Sequence, residues 1–291
     1  MEAGVFFNLL VNGLMTGGIY ALIAAGFTLI LGVIQVFNFA QGHFFVLGAY
    51  IAFALVSALG SPYPIAVLAA LVAMALLGVL LYFGIIHHTI PHGFFHTLLV
   101  TVLFGTIVTQ TSIITFGFYP AVLAPVIPGE LVIGGVVVSR GKLLVIACAI
   151  PAMVALYYFM KTKIGTAILA TAENRDAASL QGINAKQIFW VTTAVGCGLT
   201  GLAGGIILPV LSVSPLMAPE VFVRALLVVL IGGMGSMSGA LIAAFLIGIV
   251  ESFAFQLTGE LSLAIVFVVM TILVFFRPGG LLGRPMVIPG D

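Results

Sequence analysis

The side chains able to do chemistry in this sequence are few and clustered. Glu173, Asn174, Arg175 and Asp176 form a mixed-charge run suited to charge-assisted hydrogen bonds with another protein surface. Arg224 and Glu251 stand inside otherwise apolar stretches, with Glu220 one helical turn before Arg224. Asn38, Gln41 and His43 interrupt a third apolar stretch. His87, His88, His92 and His96 crowd one short segment and raise a metal or pH-sensing reading, but Pro91 and Gly93 break any regular ligand spacing, which favours an interfacial turn. Cys148 and Cys197 both lie in apolar runs and read as packed thiols; two cysteines cannot supply a four-ligand metal site. The sequence lacks H-E-x-x-H, G-x-S-x-G and G-x-x-x-x-G-K-[ST], so neither an intramembrane hydrolase nor an ATP-binding loop is expected, and the chain itself needs no cofactor.

Elements that could position such groups must be membrane helices. The chain is 63% hydrophobic and 6% charged, where a soluble domain carries roughly 25% charged residues. Apolar runs recur at Leu9–Gly32, Phe44–Leu59, Pro64–Ile86, Leu98–Phe118, Leu143–Met160, Ile188–Leu211, Ala240–Leu257 and Leu261–Phe276. Several reach the ~20 residues that cross a bilayer as a helix. The expectation is an all-α polytopic protein: about eight spanning helices plus short or broken membrane segments, forming one integral domain over residues 1–291. The opening "MEAGVFFNLL" lacks a basic n-region, so Leu9 onward reads as a retained span. No basic patch exists to neutralise phosphates, which argues against nucleic acid as a partner.

Lys and Arg set the orientation. Lys161, Lys163, Arg175 and Lys186 flank or lie in one central segment, and Arg277 and Arg284 follow the last span; both regions are expected on the cytoplasmic side. An even number of crossings must then separate them, and "VFVRALLVVLIGGMG" (Val221–Gly235), short and glycine-broken, supplies the fourth. Arg140 and Lys142 fall outside, two basic residues against six. Residues 119–142 become a periplasmic loop whose three prolines bar a continuous helix, with a tight hairpin expected over Leu131–Val138 around Gly134 and Gly135. Small residues recur on one face at Gly13, Gly17, Ala21, Ala24, Thr28 and Gly32, and again at Ala194, Gly198, Gly201 and Gly205, as close helix packing in lipid requires.

Residues 161–188 form the longest polar connection on the cytoplasmic side, where a bare link needs only about 2–8 residues. Gly165 reads as the end of the fifth span and Thr171 as the N-cap of a helix of about ten residues. Glu173 and Asp176 fall in its first turns, Gly182 at C′, and Asn184 with Gln187 as a capping box for the next span. A solvated surface helix and a docking helix for a soluble protein both fit this pattern.

Four stretches together resemble one family. "ATAENRDAASLQGIN" is similar to the cytoplasmic coupling motif of ABC importer permeases, in the form found in the branched-chain amino acid permease family. "NGLMTGGIYALIAAGFTLILGVIQVFNFAQGHFFVLGAY", "LLVVLIGGMGSMSGALIAAFLIGIVES" (Leu226–Ser252) and "RPGGLLGRP" (Arg277–Pro285) resemble the same family. The chain departs at Asn38–His43, where Asn-Phe-Ala-Gln-Gly-His replaces the usual Asn-Phe-Ala-His-Gly-Glu, and in the histidine turn that replaces a basic stretch. The resemblance implies a multi-pass permease of the bacterial inner membrane, taking up branched-chain or related amino acids. Its implied partners are a second permease, two cytoplasmic ATPase subunits that hold the ATP and magnesium, and a periplasmic binding protein. It also implies that Glu173, Asn174, Arg175, Asp176, Ala177, Ala178, Gly182, Ile183 and Asn184 dock the ATPase and transmit force rather than perform chemistry.

Candidates for the solute path are Asn38, Gln41, His43, Arg224 and Glu251. An unpaired acid at the centre of a span costs roughly 2.5–3.5 kcal/mol, so Glu251 either serves the path or holds a helix contact, with Arg224 pairing to it or to Glu220. An ion-coupled secondary carrier is the rival reading, but such carriers concentrate ionisable groups at the midplane and this chain offers little beyond Glu251.

Overall fold

The computed structural model describes residues 3–133, 136–277 and 279–282. Gly134, Gly135 and Arg284 lie outside the described residues. The chain folds as α1 (Ala3–Ile34), α2 (Gln41–Leu59) and α3 (Tyr63–Leu81). α3 continues through a π turn (Tyr82–Ile86), α4 (His87–Thr89) and a 3-10 turn (Ile90–His92). Then come α5 (Phe94–Phe116), β1 (Glu130–Ile133), β2 (Val136–Ser139), α6 (Arg140–Met160), α7 (Lys163–Glu173) and α8 (Arg175–Leu180). α9 (Ala185–Ile207), α10 (Ala218–Gly232), α11 (Met237–Thr258) and α12 (Ser262–Phe276) complete it.

Among the described residues, eight helices are long and apolar enough to cross a membrane. They differ from the eight apolar runs of the sequence by one exchange. α10 gains a 3-10 turn at Pro215–Met217 and reaches the membrane-length stretch Pro215–Gly232, so the segment expected at Val221–Gly235 begins earlier and is longer. Leu261–Phe276 loses its first residue to a 3-10 turn after Gly259, where φ is +61°. The remaining fifteen-residue α12 rises about 22 Å, short of the ~30 Å hydrocarbon core.

Helices rich in small residues hold the centre. The apolar window of α1 is 94% buried, against 17% for α6, so α1 is an axis and α6 a flank. The Gly13 and Gly17 stripe of α1 lies against α11: a methyl group at Gly248 would sit 2.5 Å from the Gly17 nitrogen and 2.6 Å from the Gly13 oxygen. The α9 stripe lies against α3 and α2, with Gly198 facing Leu71 and Ala75, and Gly205 facing Ala52, Val67 and Ala70. Backbones approach this closely only where no Cβ intervenes, and dispersion across such contacts replaces the hydrophobic drive that lipid removes.

At one end of the bundle, β1 and β2 pair antiparallel with Glu130 opposite Ser139, and Ala121 bridges Val213. Strands therefore flank the glycine pair as the β-branched run dictates. Tyr50 Oη donates toward the carbonyls of Tyr119 (3.3 Å) and Val213 (3.2 Å), fastening this cap to α2.

Candidate coupling loop and intramembrane polar clusters

Residues 161–188 fold as two helices rather than one. Thr162 is the first cap: its Oγ1 accepts from the Gly165 amide at 3.2 Å, opening α7. Gly165 therefore lies inside α7 and does not end the fifth span; a Cβ there would meet the Met160 carbonyl carbon at 2.6 Å, so the glycine permits the tight α6–α7 turn. Thr171 is not a cap either. It is buried near the end of α7, where its Oγ1 donates to the Ala167 carbonyl at 2.7 Å.

The break falls at Asn174, whose backbone is extended (φ −156°, ψ 106°). Its amide closes α7 on Ala170, and its Oδ1 accepts from the Ala177 amide at 2.9 Å to open α8. A side-chain acceptor three residues before an orphan amide competes with helix continuation, and here it wins. Glu173 consequently ends α7 instead of starting a helix, while Asp176 does lie in the first turn of α8. α8 closes at Gly182 (φ +83°) with the Ile183 amide on the Ala178 carbonyl at 3.1 Å. Asn184 Oδ1 then accepts from the Lys186 (3.0 Å) and Gln187 (3.3 Å) amides to start α9. Asn184→Ala is expected to cost about 1 kcal/mol, read as a lower unfolding temperature of the detergent-purified chain, because two amides lose one acceptor.

Part of this loop faces inward. Ala178 is buried and Ile183 packs on the main core, while Arg175, itself exposed, lays its guanidinium 4.9 Å from the centre of the Phe189 ring on α9. The other part projects: Glu173, Asn174, Asp176, Ala177 and Gly182 are exposed, and Leu180 is 90% exposed. Leu180 was not among the residues singled out from the sequence. Its signal is a large aliphatic side chain amid polar neighbours, on a segment that leaves it nothing of its own chain to cover it.

Arg224 and Glu251 meet in a charged cluster. Arg224 Nη2 lies 2.6 Å from Glu220 Oε1 and 3.4 Å from Glu251 Oε1, and Tyr20 Oη donates to Glu251 Oε2 at 2.6 Å. Both alternatives for Arg224 are thus realised together, and α1, α10 and α11 are tied at one point. The side chain of Glu251 is 14% exposed and that of Arg224 26%, so pairing offsets a real desolvation cost. Arg224→Gln and Glu251→Gln are each expected to destabilise the chain by about 1–3 kcal/mol, with the double variant less than additive by about 1 kcal/mol in a double-mutant cycle of thermal unfolding.

Asn38 and Gln41 form a second cluster at the break between α1 and α2. Both are fully buried. Gln41 Nε2 donates to the Gly196 carbonyl at 3.1 Å and also to Thr200 Oγ1, while Thr200 Oγ1 donates to Gly196 at 3.0 Å. Asn38 Nδ2 donates toward Gln41 Oε1 at 3.4 Å, and Asn38 Oδ1 accepts from the Ala40 amide at 3.1 Å. Backbone and amide groups freed by the broken helix are paired within protein, as lipid demands. His43 stands apart, half-buried against Gly105 of α5. The two clusters flank one contact, where Phe39 of the break stacks on Phe222 of α10 with ring centroids 4.3 Å apart. The structure therefore brings Asn38 to Gln41 and Arg224 to Glu251, but not all five path candidates to one cavity.

The histidine turn lies near residues 161–188, since Lys186 Nζ sits 5.9 Å from the ring of Phe83 in the π turn that leads into it. His92 Nδ1 is 2.9 Å from the His88 carbonyl oxygen, and the His92 and His96 rings are 5.9 Å apart. Among the described residues, no group of three or more His, Cys, Asp or Glu side chains converges as a metal site.

Eight membrane-length helices, two axial helices with small-residue faces, and buried polar groups at helix breaks define a multi-pass α-helical membrane protein. Residues 9–274 match the family model described as "Branched-chain amino acid transport system / permease component". The chain belongs to that family. It is 29% identical over 294 residues to the high-affinity branched-chain amino acid transport system permease protein BraD of Pseudomonas aeruginosa, covering 96% of each chain. It is 27% identical over 299 residues to LivH of Escherichia coli K12, a protein of the same description, covering 97% of each. The probable branched-chain amino acid transport permease protein LivH of Methanocaldococcus jannaschii is 26% identical over 254 residues, 84% of this chain and 79% of that one. No solved structure matches.

Proposed function

We propose that this chain is the permease subunit of an ATP-driven importer of the bacterial inner membrane. It pairs with a second permease, receives branched-chain or related amino acids from a periplasmic binding protein, and is driven by two cytoplasmic ABC ATPase subunits that carry the ATP and magnesium. Hydrolysis belongs to those subunits, and this chain has no catalytic role. The observation that supports the reading best is the α7–α8 pair, a built platform between two spans with Asp176, Ala177 and Leu180 exposed on it.

Force has a short route from that platform. α8 leans on α9 through Arg175 and Phe189, and α7 joins α6 through the Thr162–Gly165 turn. A push on α8 as the ATPases close is therefore shared between α6 and α9, which move as rigid bodies and switch access across the membrane. Glu173, Asn174, Asp176, Ala177 and Gly182 offer the docking face; Arg175, Ala178, Ile183 and Asn184 hold that face to the body. Arg224 and Glu251, mostly buried but still partly exposed between α10 and α11, serve the solute path better than the fully buried Asn38–Gln41 pair, whose role is to hold the α1–α2 break.

Reconstitution tests this. Uptake of radiolabelled L-leucine into proteoliposomes is expected only with the binding protein, both permeases, the ATPases and ATP. Uphill uptake by the chain alone under a proton gradient contradicts it and favours the ion-coupled carrier.

A further inference from the structure

The charged groups tied between α1, α10 and α11 do not balance. Glu220 and Glu251 bring two carboxylates to the one guanidinium of Arg224, and among the described residues no second cation lies within 4.0 Å of either acid. Glu220 stands in the first turn of α10, whose positive end offsets part of that surplus. The cluster is short of an acceptor as well. Arg224 Nη2 faces both acids, but Arg224 Nε is buried with no hydrogen-bond partner among the described residues. A buried N–H left unpaired costs at least as much as a good hydrogen bond returns. The site therefore lacks one positive charge and one oxygen, side by side on a single guanidinium.

The two acids differ in freedom. Glu251 is mostly buried and receives the Tyr20 hydroxyl at 2.6 Å, which fixes it. Glu220 is exposed and is held by Arg224 through Oε1 alone among the described residues, so its other oxygen is open to a ligand. Leu216, on the 3-10 turn that precedes α10, is exposed as well and offers an aliphatic side chain apolar surface close to that acid in the chain. We propose that this cluster recognises the head group of an α-amino compound: Glu220 takes the ammonium, and Arg224 Nε donates to an oxygen of the neighbouring carboxylate or carboxamide. Arg224 is itself partly exposed, so a small turn of its guanidinium presents Nε to the solute. The ammonium is the decisive group, because it answers the surplus charge; the oxygen need only accept, and its own charge is not required. An amino acid and its amide therefore both fit. A carboxylic acid without the amine is repelled, and an amine without the oxygen leaves Nε unpaired. This inference rests on the reading that Arg224 and Glu251 border the solute path, and it puts part of the selectivity in the permease itself.

Saturation-transfer NMR on the full chain in nanodiscs tests this with L-leucine, L-leucinamide, 4-methylpentanoate and 3-methylbutylamine, whose methyl groups report contact. Signals are expected from L-leucine and L-leucinamide, and signals about fivefold or more weaker from the other two, each of which lacks one of the two groups. Glu220→Gln should bring the first two down to that level, and Glu220→Asp, which keeps the charge, should restore them. The Glu220 side of the ion pair is exposed, so neither exchange should move the unfolding temperature much. Replacing sodium by choline in the buffer should change nothing. Equal signals from all four solutes, no signal from any, an unaltered pattern in Glu220→Gln, or a requirement for sodium would each overturn the proposal, the last in favour of an inorganic cation. The measurement needs neither ATP nor a partner protein. A failure of ATP-driven uptake therefore bears on the transport reading, and a failure to discriminate these solutes bears on the head-group site.

Discussion

Leu180→Asp is expected to reduce binding-protein-dependent uptake at least tenfold while leaving the permease folded and in the membrane. The side chain is 90% exposed and contributes nothing to the core, so the exchange should change the chain's own stability by no more than about 0.5 kcal/mol. Buried under a partner, the same leucine would be worth about 1.5–3 kcal/mol, and each 1.4 kcal/mol is a factor of ten in affinity. An aspartate there loses that term and adds a desolvated acid one helical turn from Asp176, which deepens the loss. Ala177→Trp, on the same short helix, should act in the same direction by bulk. Co-purification of the ATPases should fall in parallel with uptake, and the unfolding temperature should stay put. Normal uptake by either variant would remove the platform from the mechanism.

Gly248→Val is expected to prevent accumulation of folded protein. The α1–α11 crossing leaves no room for a Cβ, since both nearest atoms belong to the Gly13 and Gly17 backbone and cannot rotate away. Overpacking of a flexible core costs about 1–3 kcal/mol, and a crossing of two backbones should lie at or above the top of that range. Gly84→Ala is the control, because a Cβ at Gly84 meets nothing within 4 Å. The readout is membrane yield and a monodisperse size-exclusion peak in detergent. A well-behaved Gly248→Val chain would mean that these two helices are farther apart than described.

The helices were legible in the sequence because each apolar run is its own signal, and the stripes at Gly13–Gly32 and Ala194–Gly205 marked the axial pair. The partners of those stripes were not, since which helix meets Gly17 depends on tertiary contact with Phe245 and Gly248. α10 read as short because its first turn is 3-10 and opens on Pro215, where the hydropathy pattern weakens. Residues 161–188 were legible as structured and capped, and Gly182 and Asn184 sit at the helix boundaries their residue types favour. Their break was not, because Thr171 and Asn174 are both acceptable caps in sequence, and only the fold buries the first and frees the second. The charged cluster shows the same division. Glu251 announced itself as an acid in an apolar run, whereas Tyr20, which holds it, lies 231 residues away on α1. Thr200 is likewise 159 residues from the Gln41 amide it accepts from. Such pairings are set by helix crossings, and no local pattern encodes them.

One measurement bears most directly on the claim that a separate motor grips this permease at residues 161–188. A cysteine placed at position 180 in the assembled transporter, treated with a short cross-linker carrying a maleimide at one end and a photoreactive diazirine at the other, should on illumination yield an adduct with an ATPase subunit whose abundance changes on ATP binding. It should be reachable by a membrane-impermeant maleimide in inside-out vesicles alone. Labelling from the outer face, or transport at full rate with no ATPase within reach of that cysteine, would contradict the account.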